Sequence, residues 1–212
     1  MERYRFLAIF VLASCLLLQG SEISAQQDKY RIWLPHVVSE LGPLDTLVLQ
    51  SSDLPSNYTR SSRWLSNEDA ARMSSNYPAT IAEFKAQKRE QAFLANFTSQ
   101  AFANDGALSV RNEVARYHDY MGAERALRFS RNQLLEQGAN QIVQNSLGSA
   151  SFAMRRELIR ELDKAELVQF SFGIQHRRYV SFVYVIGYRH ALEEEEALEI
   201  AQLAARRLGA IR

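Results

Sequence analysis

The chain has 212 residues, of which 47% are apolar and 23% are charged, and its formal net charge is +1. A chain of this size can bury a substantial core, and its composition excludes a disordered or fibrous protein. Because 25 basic residues nearly balance 24 acidic ones, no net field draws the protein to nucleic acid or to an anionic membrane, and we predict no nucleic-acid partner.

The amino-terminal residues have the order of a secretory signal. Arg3 and Arg5 precede an apolar run from Phe6 to Leu18, and small or polar residues follow as far as Ala25. The run of about 13 residues fits a cleavable signal and is shorter than the roughly 20 that a membrane span needs. We therefore predict a signal peptide over 1–25 and an exported mature protein, periplasmic, cell-surface or secreted, without a transmembrane span.

Cys15 lies inside this leader and is the one cysteine of the sequence. The mature domain could therefore form no disulfide and has no thiol nucleophile. Residues 12–15 leave an alternative open, a bacterial lipoprotein box that would anchor the protein by a lipid on Cys15. Against this alternative, the apolar run continues past the cysteine, and only about eight apolar residues precede it.

The mature chain begins with a segment that keeps no sustained period. Pro35, Gly42 and Pro43 interrupt residues 26–43, so we predict a linker or arm there. A single α+β domain is expected to follow over 44–212.

The first elements of the domain are predicted to be short. Leu44–Leu49 favours a strand, and Ser66 is expected to cap a helix that ends near Met73. Thr80–Arg89 is ambiguous, although several of its side chains fit one face of a helix. Gln91–Ser99 alternates more like a strand.

The middle of the chain is predicted to contain one strand and two helices. Ala107–His118 alternates in the manner of a half-buried strand, with Asn112 among the apolar side chains. Tyr120–Gln137 favours a helix, and Gly138 is placed to end it. Phe152–Lys164 also favours a helix, because apolar side chains recur at every fourth position: Met154, Leu158 and Leu162.

Two strands and a helix are predicted to close the domain. Ala165–Gln175 alternates between large apolar side chains and an open face that bears Gln169 and Ser171. Tyr179–Tyr188 is apolar on both faces, as a central strand would be. Leu192–Leu208 carries an apolar stripe at helical spacing and has acidic residues in its first turn.

These elements predict an α+β fold. The sheet is expected to be antiparallel with about five strands, from near residues 44, 91, 107, 165 and 179. Three or four helices are expected to pack mainly on one face of it. If the helices leave it bare, the open face with Gln169 and Ser171 is a place where a partner could bind.

No group of residues has the pattern of a catalytic, cofactor or metal site, and we predict none of the three. The four histidines show no short ligand spacing, and no glycine-rich phosphate loop occurs. Adjacent acidic residues over 193–196 point around a helix and cannot converge on one ion. A secreted hydrolase stays open as an alternative, in which His118 acts with an unidentified nucleophile.

Arg177, Arg178 and Tyr179 form the candidate ligand-binding site. They follow His176 in the expected hairpin, where two guanidinium groups and an aromatic ring could bind a carboxylate or a glycan. The other interpretation is a charged hairpin tip beside a strand of the core.

Three stretches resemble uncharacterised bacterial exported and lipoprotein-like proteins with a small α+β domain. They are Asp53-Leu54-Pro55, VRNEVARYHDYMGAERA at 110–126, and FVYVIGY at 182–188 with EALEIAQLAARRL at 196–208. The resemblance covers about residues 44–210, implies an extracytoplasmic domain without an assigned reaction, and carries over no site residues.

Our functional hypothesis from the sequence is an exported, non-catalytic binding or interaction domain. Its partner would be an unknown protein, small molecule or glycan outside the cytoplasm. A structural component of the cell envelope is a further alternative.

Overall fold

The structure is a computed structural model, and it describes residues 44–74, 76–100, 106–143, 147 and 150–210. The predicted signal peptide with Cys15 and the predicted linker over 26–43 lie outside the described residues. Those that are described belong to one unit, Pro43–Arg212. Within them, no helix combines the length and the apolar character needed to cross a membrane.

One seven-stranded sheet forms the centre of the fold, and all its strand pairs are antiparallel. The strands are β1 Tyr58–Leu65, β2 Arg89–Ser99, β3 Ala107–Tyr117, β4 Asn140–Gln141, β5 Ala150–Ile159, β6 Glu166–His176 and β7 Tyr179–Tyr188. Their order across the sheet is β1-β2-β3-β7-β6-β5-β4. The sheet therefore consists of two meanders that the pairing of β3 with β7 joins.

Four α-helices are present in the described residues: α1 Asn67–Arg72, α2 Tyr77–Ala86, α3 Tyr120–Glu136 and α4 Glu194–Gly209. Ser66 caps the start of helix α1, since its Oγ accepts a hydrogen bond from the Asp69 backbone N–H at 3.0 Å. Helix α3 begins at Asp119 and is followed by Gly138, which has a φ of 82°. The predicted helices at these places, and the last helix, are confirmed.

The helices lie on both faces of the sheet, three on one and α4 on the other, so the predicted packing on mainly one face describes α1, α2 and α3 but not the last helix. A Cβ added to Gly173 would lie 2.7 Å from Leu127 of α3. Gly187 points to the opposite side of the sheet, where an added Cβ would lie 2.7 Å from Leu192, just before α4. We call the face under α1, α2 and α3 the first face and the face under α4 the second face.

The two apolar sides of the central strands explain this arrangement. On the second face β6 and β7 bury large apolar side chains, and α4 covers them with its own apolar stripe. The sequence had predicted that Tyr179–Tyr188 is apolar on both faces. A strand of that kind needs a cover on each side, so a helix layer on one face alone could not bury it.

The predicted helix over Phe152–Lys164 was wrong, because Ala150–Ile159 forms strand β5 and pairs with β6 along its whole length. A spacing of four residues places side chains on one face of a helix, but it is also a multiple of the two-residue period of a strand. Phe152 and Met154, two residues apart, are buried on the first face. Leu162, by contrast, is 88% exposed.

The predicted strand at Leu44–Leu49 was also wrong. A short 3₁₀ turn, Leu44–Thr46, stands there, followed by irregular backbone whose apolar side chains are buried. The strands predicted near 91, 107, 165 and 179 are confirmed, while β1 and β4 were missed. Most of β1 is exposed and β4 has two residues, so neither leaves a periodic apolar pattern in the sequence.

Candidate functional site

The apolar cluster on the first face covers only part of the sheet. It lies beneath α1, α2 and α3 and includes Leu94, Ala115, Phe152 and Phe182. Further along the same strands the side chains become polar. We call this second region the polar face and define it by six residues: Asn96, Arg111, Arg156, Gln169, Ser171 and Tyr184.

The register of the sheet places these residues side by side. Arg111 stands opposite Asn96 on one side and opposite Tyr184 on the other. Tyr184 in turn stands opposite Ser171, and Arg156 stands opposite Gln169. The polar face therefore crosses five adjacent strands, from β2 to β5, at neighbouring positions.

The floor of the polar face on β6 consists of two buried polar side chains. Gln169 is 7% exposed and Ser171 is 2% exposed. The Nε2 atom of Gln169 donates a hydrogen bond to the Ser171 hydroxyl at 2.7 Å. Arg156 donates hydrogen bonds to Gln169 Oε1 at 3.0 Å and to Gln137 Oε1 at 2.6 Å, so its guanidinium extends from β5 toward β6.

Arg111 approaches the polar face from the other side. Its guanidinium carbon lies 5.8 Å from the centre of the Tyr184 ring. Its Nη2 atom donates to Glu113 Oε2 at 3.2 Å, while Glu113 Oε1 accepts from Arg89 at 2.6 Å. One carboxylate thus holds two guanidinium groups, and Arg111 is the more accessible of them, with 29% of its side chain exposed against 1% for Arg89.

Arg89 connects this ion-pair group to the helices. Its Nη1 atom donates to Asn67 Oδ1 at 2.7 Å, and its guanidinium lies 4.6 Å above the Phe84 ring. Asn67 returns a hydrogen bond to the Arg89 carbonyl at 3.1 Å. Contacts with α1 and α2 therefore hold Arg89 in place, and Arg89 positions the Glu113 carboxylate. That carboxylate in turn orients Arg111.

Burial and charge shift the ionisation of these groups. Burial raises the pKa of Tyr184 to about 12, against the opposing effect of Arg111 and Arg156. Burial also acts to raise the pKa of Glu113, but the charges of Arg89 and Arg111 outweigh it, and this pKa lies below its usual value. At neutral pH the tyrosine hydroxyl therefore keeps its proton, and the carboxyl group is ionised.

The local charge is positive although the whole chain is nearly neutral. Among the interactions of the described residues, Arg89 and Arg111 share a single carboxylate, that of Glu113, while Arg156 bonds to the neutral amides of Gln137 and Gln169. Burial lowers the pKa of Arg156, since it removes the charge from water. The arrangement can accept negative charge and can donate hydrogen bonds from arginine, glutamine and tyrosine.

The predicted ligand residues Arg177, Arg178 and Tyr179 lie elsewhere. They stand at the hairpin between β6 and β7, where Arg177 has a φ of 54°. Tyr179 is 2% exposed, and the guanidinium carbon of Arg178 lies 5.9 Å from the centre of its ring. The structure does not bring these residues to the polar face, and their ligand-binding role stays a prediction.

His118 is an exposed residue at the end of β3. Its Nδ1 atom lies 3.4 Å from Glu90, whose carboxylate also accepts a hydrogen bond from Arg116 at 2.8 Å. In the described part of the chain no serine hydroxyl bonds to His118. Nor do three or more histidine, cysteine or acidic side chains come together there as metal ligands would.

Sequence reasoning found Gln169 and Ser171 but missed the other four residues of the polar face. Arg111 lies within the predicted strand Ala107–His118, but nothing in the alternation of that strand marks it as a ligand residue. Arg156 was hidden by the incorrect helix over 152–164. One signal in the sequence could have located these residues. Charged and tyrosine side chains occur within strands whose adjacent residues are apolar.

The sequence matches no family model, and no curated protein matches it. The fold is similar to the extracellular domain of PknH from Mycobacterium tuberculosis, with a TM-score of 0.54 at 9% identity, over 78% of this chain and 94% of that one. This likeness shows a shared fold. An uncharacterized protein from Mycobacterium smegmatis matches with a TM-score of 0.33 at 11% identity, over 76% of this chain and 93% of that one.

Proposed function

We propose that this protein is an exported, non-catalytic binding domain that holds its ligand on the polar face. The observation that carries the proposal is the buried, hydrogen-bonded pair Gln169 and Ser171 with Arg111 and Arg156 on either side. These groups occupy a region of the first face that the apolar cluster does not reach.

The cost of burying polar groups supports a binding role. A buried amide or guanidinium loses its hydration, and hydrogen bonds within the protein return only part of that loss. A sheet face that binds nothing could carry small exposed side chains instead, like Thr59 and Ser61 on β1, at little cost in hydration. A few convergent polar groups beside an apolar region are typical of ligand sites.

The setting outside the cytoplasm rests on the leader over 1–25. The fold relative from PknH is itself an extracellular domain, which agrees with this setting. We expect mass spectra of the protein recovered from its host's envelope or medium to begin near residue 26. An intact Met1 on protein in the cytosol would contradict export.

The binding proposal is tested by ligand-induced stabilisation of the full chain. Small molecules extracted from the host's envelope and growth medium are added in fractions, and the Tm is measured with each fraction. A ligand that binds only the folded state raises the Tm in proportion to its occupancy. We expect at least one fraction to raise it.

Two tyrosine variants locate the binding. Tyr184→Phe removes one hydroxyl from the polar face and is expected to weaken binding by about tenfold, which reduces the rise in Tm. Tyr77→Phe removes a hydroxyl from an exposed position on α2 and should leave the rise unchanged. A rise that Tyr184→Phe leaves intact, but that disappears when Arg177 and Arg178 are changed to alanine, would place the site at the hairpin and refute the proposal.

A further inference from the structure

We infer that the ligand of the polar face carries an anionic group, a carboxylate or a phosphate, which Arg111 and Arg156 hold from two sides above Tyr184. The inference rests on the proposed function and adds the chemistry of the ligand. It depends on the geometry of the two guanidinium groups, on their unused donors and on the balance of charge around them.

The two arginines belong to strands that flank the same pair of neighbours. Arg111 is on β3 and Arg156 is on β5, with β7 and β6 between them. Arg156 reaches inward to Gln169 on β6, and Arg111 lies beside the Tyr184 ring on β7. Adjacent strands are roughly 4.8 Å apart, so the backbones of β3 and β5 lie about 14 Å apart. The two long side chains extend over the strands between them, toward Tyr184 and Gln169.

Each of the two arginines has an Nε–H donor without a hydrogen-bond partner among the described residues. The Nε atoms of Arg111 and Arg156 are buried, and no acceptor among the described residues bonds to them. An arginine side chain has five N–H donors in a planar fork, which matches the two oxygens of a carboxylate or phosphate. A ligand oxygen is the acceptor that these two Nε atoms lack.

The charge around Arg156 is also unbalanced. Its hydrogen-bond partners in the described residues, Gln137 and Gln169, are neutral amides. Arg111 has Glu113 as a partner but shares it with Arg89. Arg111 and Arg156 are half-buried. A cation that has lost part of its hydration without a full counter-charge is costly, and a bound anion would reduce that cost.

Two arginines that directly follow strands β5 and β7 show the contrast. Arg160 pairs with Asp163, and Arg189 lies 3.5 Å from Glu157 and 3.3 Å from Glu166. Their charges are met by carboxylates of the protein itself. The polar face differs because its positive charge exceeds its negative charge and its tyrosine remains a hydrogen-bond donor.

The test observes the Nε–H groups of the arginines directly by ¹H–¹⁵N NMR of the full chain. Inorganic phosphate and succinate are the anionic probes and glucose is the neutral probe, all at constant ionic strength maintained with chloride. The Nε–H signals are assigned with Arg111→Lys and Arg156→Lys. We expect phosphate or succinate to move both signals in a saturable manner, and glucose to leave them in place.

The lysine variants keep the charge but lose the planar fork. We expect each to weaken anion binding by about tenfold or more. Arg155→Lys is the matched control, because Arg155 is the next residue on β5, points to the second face and is paired with Glu157. It should leave the affinity unchanged, and the amide spectra should show that all three variants are folded.

Three outcomes would overturn the inference. One is that neither Nε–H signal shifts in a saturable manner up to about 0.1 M anion, a concentration at which salt screens exposed charges in general. Another is an equal loss of affinity in Arg155→Lys and in the two polar-face variants. The third is a neutral ligand that raises the Tm and depends on Tyr184 while both Nε–H signals stay fixed, a result that would leave the proposed function standing.

Discussion

Glu113 connects the stability of the fold to the polar face. Its carboxylate accepts hydrogen bonds from Arg89, which is buried against α1 and α2, and from Arg111, which borders the candidate ligand. Removal of one member of a buried ion pair leaves its partner uncompensated, which is more damaging than the absence of the whole pair. Glu113 is therefore expected to matter for both folding and binding.

Glu113→Gln is expected to lower the free energy of unfolding by about 3–5 kcal/mol near neutral pH. The charges of Arg89 and Arg111 hold the folded-state pKa of Glu113 below its ordinary value of 4.5. Its contribution is therefore complete above that value and is lost as the pH falls through the folded-state pKa. The difference between wild type and variant, measured by urea unfolding, should be largest near pH 7 and should shrink as the pH falls below 4.5, the ordinary pKa of a glutamate.

Glu90→Gln is the matched control for this measurement. Glu90 also joins β2 to β3, through Arg116, but its side chain is 31% exposed. An ion pair of this kind contributes about 1 kcal/mol or less. Equal losses in the two variants, or a Glu113→Gln difference that grows in acid, would contradict the role given to Glu113.

At the scale of elements, the sequence predicted most strands and helices but not their layers. The strands at 165–175 and 179–188 were predictable because the alternation and the doubly apolar pattern are both clear. Strand β5 was not, because a spacing of four residues fits a strand as well as a helix. With β5 misassigned, the position of Arg156 on a sheet face could not be deduced.

Only part of the polar face could be predicted from the sequence, because some of its residues share one strand and others come from strands far apart in the chain. Gln169 and Ser171 belong to one strand, so simple alternation places them together on an open face. Arg111 and Tyr184 are more than 70 residues apart in the chain, and their strands pair at the centre of the sheet. Which residues stand opposite each other depends on the register, and nothing in the local sequence of either strand specifies it.

Gly122 tests how closely α3 approaches the end of α2. A Cβ at this position would lie 2.1 Å from the backbone carbonyl oxygen of Gln87. We expect Gly122→Ala to lower the free energy of unfolding by about 1–3 kcal/mol, despite the higher helix propensity of alanine. Thermal and urea unfolding of the full chain measure this loss.

Gly209→Ala provides the comparison at the end of α4. An added Cβ there meets nothing within 4 Å. The free energy of unfolding should stay the same or rise by up to about 1 kcal/mol. A stable Gly122→Ala variant would show that α3 can move away from Gln87, and it would contradict the tight contact.

At the scale of the whole molecule, the fold separates its core from its candidate site. The helices on the first face bury one region of the sheet, α4 covers β6 and β7 on the second face, and the remaining region of the first face carries the polar face. Nearly balanced charge over the whole sequence conceals a local excess of guanidinium groups. The net charge of the chain therefore says little about the ligand that this surface can accept.

The central claim, that a ligand lies on the polar face, is tested most directly by intermolecular NOEs. The most stabilising ligand fraction is added to ¹³C,¹⁵N-labelled full chain, and contacts from the unlabelled ligand are recorded. The account predicts NOEs to the ring protons of Tyr184 and to the side-chain amide of Gln169. NOEs confined to the hairpin at Arg177–Tyr179, or to the second face, would contradict it.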